Sequence, residues 1–205
     1  MTSTAAVAVI DYGAGNVPSV ERALQKLGAA SKRVTQPSEI AGARAIILPG
    51  VGHYAAIIRA LDEQNLRSVL LESISRGIPF LGICLGLQAL YSSSEEAPNL
   101  SGLNLFPGLV RSLPNSVKLP HMGWNRLRIQ RPSALLAGLG ESDYFYFAHT
   151  FAAATSTEEV IATSDHGANF TAVLEHKNIF ATQFHPEKSG AAGSRLMQNF
   201  VSLAA

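Results

Sequence analysis

Short apolar runs alternate with amphipathic stretches through the first half of the chain. Three apolar runs have the length and composition of strands buried on both faces of a sheet: residues 5–10, 45–48 and 78–83. Apolar positions at helical spacing predict helices at residues 17–27, 54–61, 66–76 and 85–91. Strands and helices that alternate in this way predict an α/β fold, in which helices flank a mostly parallel central sheet.

Strand-like runs dominate the second half, where few helices intervene. Six runs are predicted to be strands: residues 109–113, 124–129, 144–148, 160–163, 170–176 and 179–184. Lys177-Asn178 joins the last two and predicts a tight hairpin, so antiparallel strands are added to the sheet. Residues 92–104 form the one evident loop, and residues 194–203 form an amphipathic closing helix. Because no linker or repeat interrupts the pattern, we expect a single domain over residues 1–205.

Composition narrows the class of protein. With 47% hydrophobic and 15% charged residues among 205, the chain is not predicted to be disordered, and the low charged share hints at a surface covered by a partner. A net charge of +1 without a basic stripe argues against nucleic-acid binding. One cysteine excludes an internal disulfide and fits a reducing compartment. No signal-peptide pattern and no apolar run of about 18 residues is present, so we expect a cytoplasmic protein without a membrane span.

The strongest local signal is an apolar strand that leads through Gly82-Ile83-Cys84-Leu85-Gly86 into a helix. This is the sulfur counterpart of a nucleophile elbow, in which glycines permit a sharp strand-to-helix turn. The thiol then stands at a helix N-terminus, where the dipole favours a thiolate. A buried core cysteine flanked by packing glycines is the alternative, but the strand-to-helix transition favours a nucleophile.

A thiol nucleophile needs a base, and six histidines compete for that role. His185 is the best placed, because it ends a predicted strand and Glu187 follows it across Pro186. We expect the proline to hold this segment extended and Glu187 to orient the imidazole. The alternative is a strand-end turn with a solvated glutamate.

Pro49-Gly50-Val51-Gly52 follows the second predicted strand, at the same sheet edge as Cys84. Its backbone N–H groups are candidates to bind an oxyanion, although an ordinary turn has the same sequence pattern. Glycines on both sides of Val51 let the peptide rotate, which predicts a switch between an N–H and a carbonyl at that position. No Cys or His pair has metal-ligand spacing and there is no phosphate-binding loop, so we expect no metal and no cofactor.

These motifs together resemble a known family. The runs around Cys84, at residues 49–52 and at 185–187 resemble the class I (triad) glutamine amidotransferases. Four more runs are similar to the glutaminase subunits of imidazole glycerol phosphate synthase: residues 11–16, 121–125, 147–151 and 183–189. The resemblance covers nearly the whole chain and implies a flavodoxin-like α/β fold. It implies no role for His53.

The resemblance also implies site roles. Cys84 would attack the side-chain amide of glutamine, His185 would act as the base, and Glu187 would orient it. The oxyanion would be held by the backbone N–H groups of Leu85 and of Gly50, Val51 and Gly52. Glutamine would be recognised by four positions: Gln88, Glu96, Thr150 and Phe151.

The implied partner is the cyclase subunit, a (β/α)8 barrel, in a heterodimer that serves histidine biosynthesis. The ammonia would pass to that subunit, and four residues would lie near its face: Met122, Trp124, Tyr146 and Lys188. Three other readings stay open at this stage: a stand-alone cysteine hydrolase, a non-catalytic interaction module, and a glutaminase that serves another synthase.

Overall fold

The computed structural model describes residues 6–155 and 158–204. The strands of the first half are β1 (Val7–Ile10), β2 (Ser31–Val34), β3 (Ala45–Gly50), β4 (Phe80–Cys84) and β5 (Tyr91–Ser94). Those of the second half are β6 (Phe106–Ser112), β7 (His121–Arg126), β8 (Arg128–Ile129), β9 (Tyr144–His149), β10 (Phe151–Ala152), β11 (Val160–Asp165), β12 (Asn169–His176) and β13 (Ile179–Thr182). The helices are α1 (Val17–Lys26), α2 (Tyr54–Glu63), α3 (Leu66–Ser75), α4 (Leu85–Gln88) and α5 (Gly190–Leu203), with 3-10 turns at Pro37–Glu39 and Pro186–Lys188.

The central sheet has the strand order β2-β1-β3-β4-β13-β12-β11-β8 among the described residues. The first five strands of this order run parallel, and the remaining three are antiparallel to their neighbours. Successive side chains of a strand point to opposite faces. Val7 and Val9 therefore pack in the core beneath α1 and α5, while Ala8 and Ile10 pack in the core beneath α2 and α3. This arrangement confirms the predicted α/β fold with added antiparallel strands.

The predicted hairpin is present between β12 and β13. His176 pairs with Ile179, so Lys177 and Asn178 form a two-residue turn. Lys177 has a φ of 54°, which is the left-handed conformation that such hairpin turns require. The Asn178 side chain donates to the carbonyl oxygens of Ile74 and Ile78, and so ties the turn to the end of α3.

Two predictions fail just after the Cys84 turn. The helix predicted over residues 85–91 ends at Gln88, and the loop predicted over residues 92–104 begins as part of β5. Tyr91 pairs with Phe106 of β6, a partner distant in sequence. Pairing with a distant strand outweighs the local helical periodicity, which is a weak determinant of structure on its own.

Other boundaries also differ from the predictions. The edge strand β2 was not predicted, because only Val34 of its four residues is buried. The strand predicted over residues 179–184 ends at Thr182, and the closing helix begins at Gly190 rather than at 194. A Cβ on Gly193 would lie 2.0 Å from the carbonyl oxygen of Pro186, so small residues are needed where α5 begins. The predicted strand at residues 5–10 starts with Ala5, which lies outside the described residues. Within the described ranges, no helix combines the length and apolar character needed to cross a membrane.

Candidate functional site

Cys84 occupies a strained turn between β4 and α4. Its φ of 54° and ψ of −104° lie outside the regions that non-glycine residues ordinarily adopt. Such strain persists only where the surrounding structure enforces it, and it is characteristic of functional sites. The side chain is 5% exposed. The turn thus holds the thiol in one orientation at the start of α4.

Glycines let the turn pack against β3. A Cβ on Gly86 would lie 2.0 Å from the carbonyl oxygen of Leu48, and one on Gly82 would lie 2.7 Å from the carbonyl oxygen of Gly86. Gly50 is equally confined, because its Cβ would lie 2.7 Å from the Cβ of Leu85. Real Cβ atoms essentially never approach within 3.0 Å of such neighbours. The backbone of β3 and the first turn of α4 are therefore in direct contact.

His185 and Glu187 form a buried pair beside this turn. The Nδ1 atom of His185 lies 2.9 Å from Oε1 of Glu187, and the two side chains are 2% and 1% exposed. The Asn16 side chain donates to the same carboxylate oxygen at 3.3 Å. The prediction that proline keeps this segment extended is wrong, because Pro186–Lys188 is a 3-10 turn. The fixed φ of proline suits the start of a helical turn equally well, and the turn folds Glu187 back towards the imidazole.

The surroundings of His185 favour the charged form of its ring. Burial opposes its protonation, but the charge of Cys84, a hydrogen bond with Cys84 and the Glu187 carboxylate raise the pKa of His185 to about 10. Because Nδ1 faces an acceptor, it carries a proton in either protonation state. A charged imidazole beside a sulfur is the electrostatic setting in which a cysteine acts as a nucleophile.

The sulfur of Cys84 has two further polar neighbours. The carbonyl oxygen of Ala148 lies 3.9 Å from Sγ, and Nε2 of Gln183 donates to Sγ over 3.6 Å. We assigned no role to Gln183 from the sequence. Its place in the sheet explains the contact. Thr182 pairs with Ile83 across parallel strands, so Gln183 and Cys84, which follow them, lie side by side.

A cavity of about 240 Å³ opens over Cys84. This volume suits a small ligand, because sites for drug-sized molecules begin at about 300 Å³. Its lining comes from the segment after β3, from α4, from β9 and from the 3-10 turn that follows His185. It consists of Val51, Gly52, Cys84, Leu85, Gln88, Glu96, Pro120, Ala148, His149, Thr150, Phe151, His185 and Lys188. Cys84 and His185 therefore line the same cavity.

The sequence model of the class I glutamine amidotransferase family matches residues 8–203. The chain belongs to the class I glutamine amidotransferases. One relative, the imidazole glycerol phosphate synthase subunit HisH of Methanothermobacter thermautotrophicus, is 48% identical over 96% of this chain and 98% of its own. The HisH subunit of Moorella thermoacetica is 44% identical over 96% of this chain and 94% of its own.

Solved structures agree with the family at the level of the fold. A crystal structure described as a glutamine amidotransferase superposes with a TM-score of 0.77 at 22% identity, covering 97% of this chain and 98% of its own. The PurLQS structure from Thermotoga maritima also gives 0.77, at 19% identity, and covers 98% of this chain and 99% of its own. The α/β architecture is therefore that of the class I amidotransferases.

The predicted glutamine-binding residues of this amidotransferase all line the cavity. The Gln88 side chain donates from Nε2 to the carbonyl oxygen of Phe151 at 2.7 Å and to Oε1 of Gln183 at 3.2 Å. Glu96 accepts a hydrogen bond from the backbone N–H of Tyr54, at the N-terminus of α2. A carboxylate in that position is stabilised by the helix dipole. The structure thus brings Gln88 and Glu96 to the same space as the thiol, with Thr150 beside them.

The predicted oxyanion segment begins inside a strand. β3 continues through Pro49 and Gly50, where only a turn was predicted. The missing N–H of Pro49 is tolerated because the pairing of β1 with β3 ends at Ile47. In the described geometry the Val51 N–H donates to the hydroxyl oxygen of Tyr12 at 3.2 Å. Leu85, by contrast, is the first residue of α4, whose N–H has no partner within the helix.

The four predicted partner residues lie around one ribbon. Met122 and Trp124 are on β7, 68% and 55% exposed, and Trp124 pairs with Tyr146 of β9. The rings of Trp124 and Tyr146 meet edge to face at 5.9 Å, and the Lys188 ammonium lies 5.8 Å from the Tyr146 ring centre. Lys188 also lines the cavity, so this exposed aromatic surface adjoins the site.

Two further observations concern side chains outside the predicted triad. His53 caps α2, because its Nδ1 accepts from the backbone N–H of Ala55 at 3.1 Å. Across residues 6–155 and 158–204, no group of three or more His, Cys, Asp and Glu side chains is arranged to hold a metal ion.

Proposed function

We propose that this chain hydrolyses glutamine to glutamate and ammonia with Cys84, His185 and Glu187, as the glutaminase subunit of an imidazole glycerol phosphate synthase. The observation that carries the proposal is the strained Cys84 turn, which faces a small cavity beside a charged and buried imidazole. The HisH relatives at 44% and 48% identity support the same assignment.

The first half-reaction makes a thioester. The sulfur of Cys84 attacks the side-chain amide carbon of glutamine, and the carbonyl electrons move onto oxygen. When this intermediate collapses, the carbon–nitrogen bond breaks and His185 transfers its proton to the leaving nitrogen, which departs as ammonia. The raised pKa of His185 means that this proton is already present at neutral pH. Glu187 holds the ring in the required orientation.

The second half-reaction releases glutamate. A water molecule attacks the thioester carbon, and His185, now neutral, accepts the proton of that water. The carbon–sulfur bond breaks, glutamate leaves, and the charged pair of sulfur and imidazolium is restored. One glutamine and one water thus give one glutamate and one ammonia.

Substrate contacts follow from the hydrogen bonds of the cavity wall. Both N–H groups of the Gln88 amide are already donated, so its oxygen is left to accept from the amide of glutamine. The Glu96 carboxylate suits the ammonium group of the substrate. The Leu85 N–H is one oxyanion donor, and Val51 supplies a second one if its peptide turns away from Tyr12.

The ammonia is passed to a cyclase subunit, a (β/α)8 barrel, in a cytoplasmic heterodimer. There it would enter the synthesis of imidazole glycerol phosphate and aminoimidazole carboxamide ribonucleotide in histidine biosynthesis. Ammonia becomes ammonium in neutral water and loses its nucleophilic lone pair, so a dry route between the subunits is required. The face for that partner is formed by exposed Met122 and Trp124, with half-buried Tyr146 and the Lys188 ammonium beside them.

The test is to measure glutamate release by the chain with and without a cyclase barrel and its nucleotide substrate. Cys84→Ala should abolish release, yet its complex should still use ammonium salts at high pH, because the cyclase has its own site. Ser202→Ala, at the exposed end of α5, is the control and should behave as the parent. Glutamate release above a trace by Cys84→Ala would contradict the role of the thiol. Peptide hydrolysis without a partner would instead identify a stand-alone hydrolase.

A further inference from the structure

Gln183 is a polar side chain buried beside the reacting sulfur. It follows β13 directly and is 0% exposed. Buried amides in folded proteins have hydrogen-bond partners, because an unpaired one costs free energy. The partners of Gln183 are Sγ of Cys84 at 3.6 Å and the Gln88 amide at 3.2 Å. The amide therefore links two residues of the proposed site.

The neighbours of Gln183 fix which end of its amide faces the sulfur. The Phe151 backbone oxygen only accepts hydrogen bonds, so the Gln88 atom 2.7 Å from it must be the amide nitrogen. That same nitrogen lies against Gln183, which must therefore present its oxygen to Gln88. The other end of the Gln183 amide, the NH₂ group, is left facing Cys84.

We propose that Gln183 donates a hydrogen bond to the sulfur of Cys84 and stabilises its charged form, a role that rests on the proposed thiol chemistry. A hydrogen bond to an ionised group is about twice as strong as one between neutral groups. The donor is also held in place before the reaction, because Gln88 and the backbone of Phe151 anchor its other end. Such preorganised dipoles require no rearrangement when the sulfur carries charge.

Other titratable groups also face this sulfur. Burial raises the pKa of Tyr12 above its usual range, so this phenol stays neutral. Burial lowers the pKa of His149 to about 3, so this ring is neutral as well. The remaining groups on the cavity wall or behind it are His185, Glu187, Glu96 and Lys188. Substituting Gln183 leaves all of these groups in the chain, so a shift in the titration of the sulfur reports the loss of the Gln183 amide.

The test is the pH profile of Cys84 alkylation by iodoacetamide in the full chain. Gln183→Met removes the donor at similar size, and Gln198→Met makes the same change on the exposed face of α5. We expect the midpoint of the profile to rise by about one pH unit in Gln183→Met and to stay unchanged in Gln198→Met. The kcat of glutamine hydrolysis should fall by about 10-fold or more in Gln183→Met, with a smaller change in KM.

A folded Gln183→Met protein whose alkylation profile overlays that of the parent would overturn the proposal. Alkylation needs no glutamine, so it measures the effect of Gln183 on the titration of the Cys84 sulfur even if the chain is not a glutaminase. If Gln183→Met does not fold, the side-chain amide of Gln183 can instead be followed by NMR in the parent protein. Gln183→Glu keeps an acceptor for Gln88, and the amide resonance missing from its spectrum is that of Gln183. In the parent protein this resonance should move with the titration of the sulfur, and a resonance that does not follow it would equally refute the hydrogen bond.

Discussion

Replacing Gly86 by alanine tests the packing on which the Cys84 turn depends. The added Cβ would lie 2.0 Å from the Leu48 carbonyl oxygen, whereas real Cβ contacts stay beyond 3.0 Å. The obstructing atom belongs to the backbone of β3, so no side chain can rotate aside. We expect β3 and α4 to separate by about 1 Å at a cost of about 3 kcal/mol, the upper end for an overpacked core.

The same displacement moves the thiol. A misplacement of about 1 Å at a reacting group lowers the rate by about 100-fold. Urea unfolding gives the free energy of unfolding, and glutamate release in the complex gives the rate. Gly140→Ala is the matched control, because a Cβ there meets nothing within 4 Å and Gly140 has an ordinary φ. That variant should keep the stability and the rate of the parent.

Substitutions without a structural effect change the free energy of unfolding by no more than about 0.5 kcal/mol. The predicted clash would be refuted if the free energies of unfolding of Gly86→Ala and Gly140→Ala differed by less than this and both variants released glutamate at the same rate. A loss of stability with an unchanged rate would show that the clash is relieved away from the thiol. A loss of both quantities is the expected result.

Three further experiments test the thiol and the groups around it. Glu187→Gln should lower glutamate release less than His185→Asn, and the double variant should resemble His185→Asn, because triad members act as a unit; additive losses in free energy would contradict this. Cys84→Ala should lower the pKa of His185 below about 10, measured by NMR titration, because it removes the charge and hydrogen bond that raise it. The pKa of His185 in the folded protein exceeds its unfolded value of about 6.5. Protonation of His185 therefore stabilises the folded parent fully below about pH 6.5, and this stabilisation is lost as the pH rises through about 10. Tyr12→Phe removes the acceptor of the Val51 N–H. It should therefore raise the rate of glutamate release in the absence of nucleotide, by at most the factor of about 100 that one oxyanion donor provides. An unchanged rate would argue against a peptide switch.

The structure also decides which variant tests that switch. A rigid residue at Gly50 would clash with Leu85 and Gly86, because Gly50 belongs to β3 and a Cβ there would lie 2.7–2.8 Å from them. Gly50→Pro would therefore disturb the Cys84 turn as well as the peptide of Val51. Tyr12→Phe acts on the hydrogen bond alone and is the cleaner variant.

Much of the site was predictable because its motifs are local. A strand that runs through glycines into a helix requires a sharp turn at Cys84, and His185 with Glu187 two residues later needs only a proline turn to become a pair. The alternation of apolar runs also predicted the parallel sheet, which the structure and the family both confirm. The catalytic roles of these residues, and the extent of the single domain, stay predictions.

Contacts between segments that are far apart in the chain could not be predicted from the sequence. β5 forms because Tyr91 finds Phe106, although its own pattern reads as the end of a helix. The Val51 N–H is directed to Tyr12, which lies 39 residues earlier. Gln183 contacts the sulfur because β13 enters the sheet next to β4. None of these pairings leaves a periodic signal in either segment.

The sequence by itself determined the elements that short-range forces control. Glycine spacing, proline and the burial of apolar runs act over a few residues, and they produced the Cys84 turn and the strands around it. Only the tertiary structure decided which strand ends meet, because strand order depends on how both faces of the sheet are covered. That order brings the thiol at the end of β4 together with the Gln183 amide and the His185 imidazole, which both follow β13. The chemistry of the site therefore depends on side chains 99 or more residues apart, whose proximity is a property of the folded sheet.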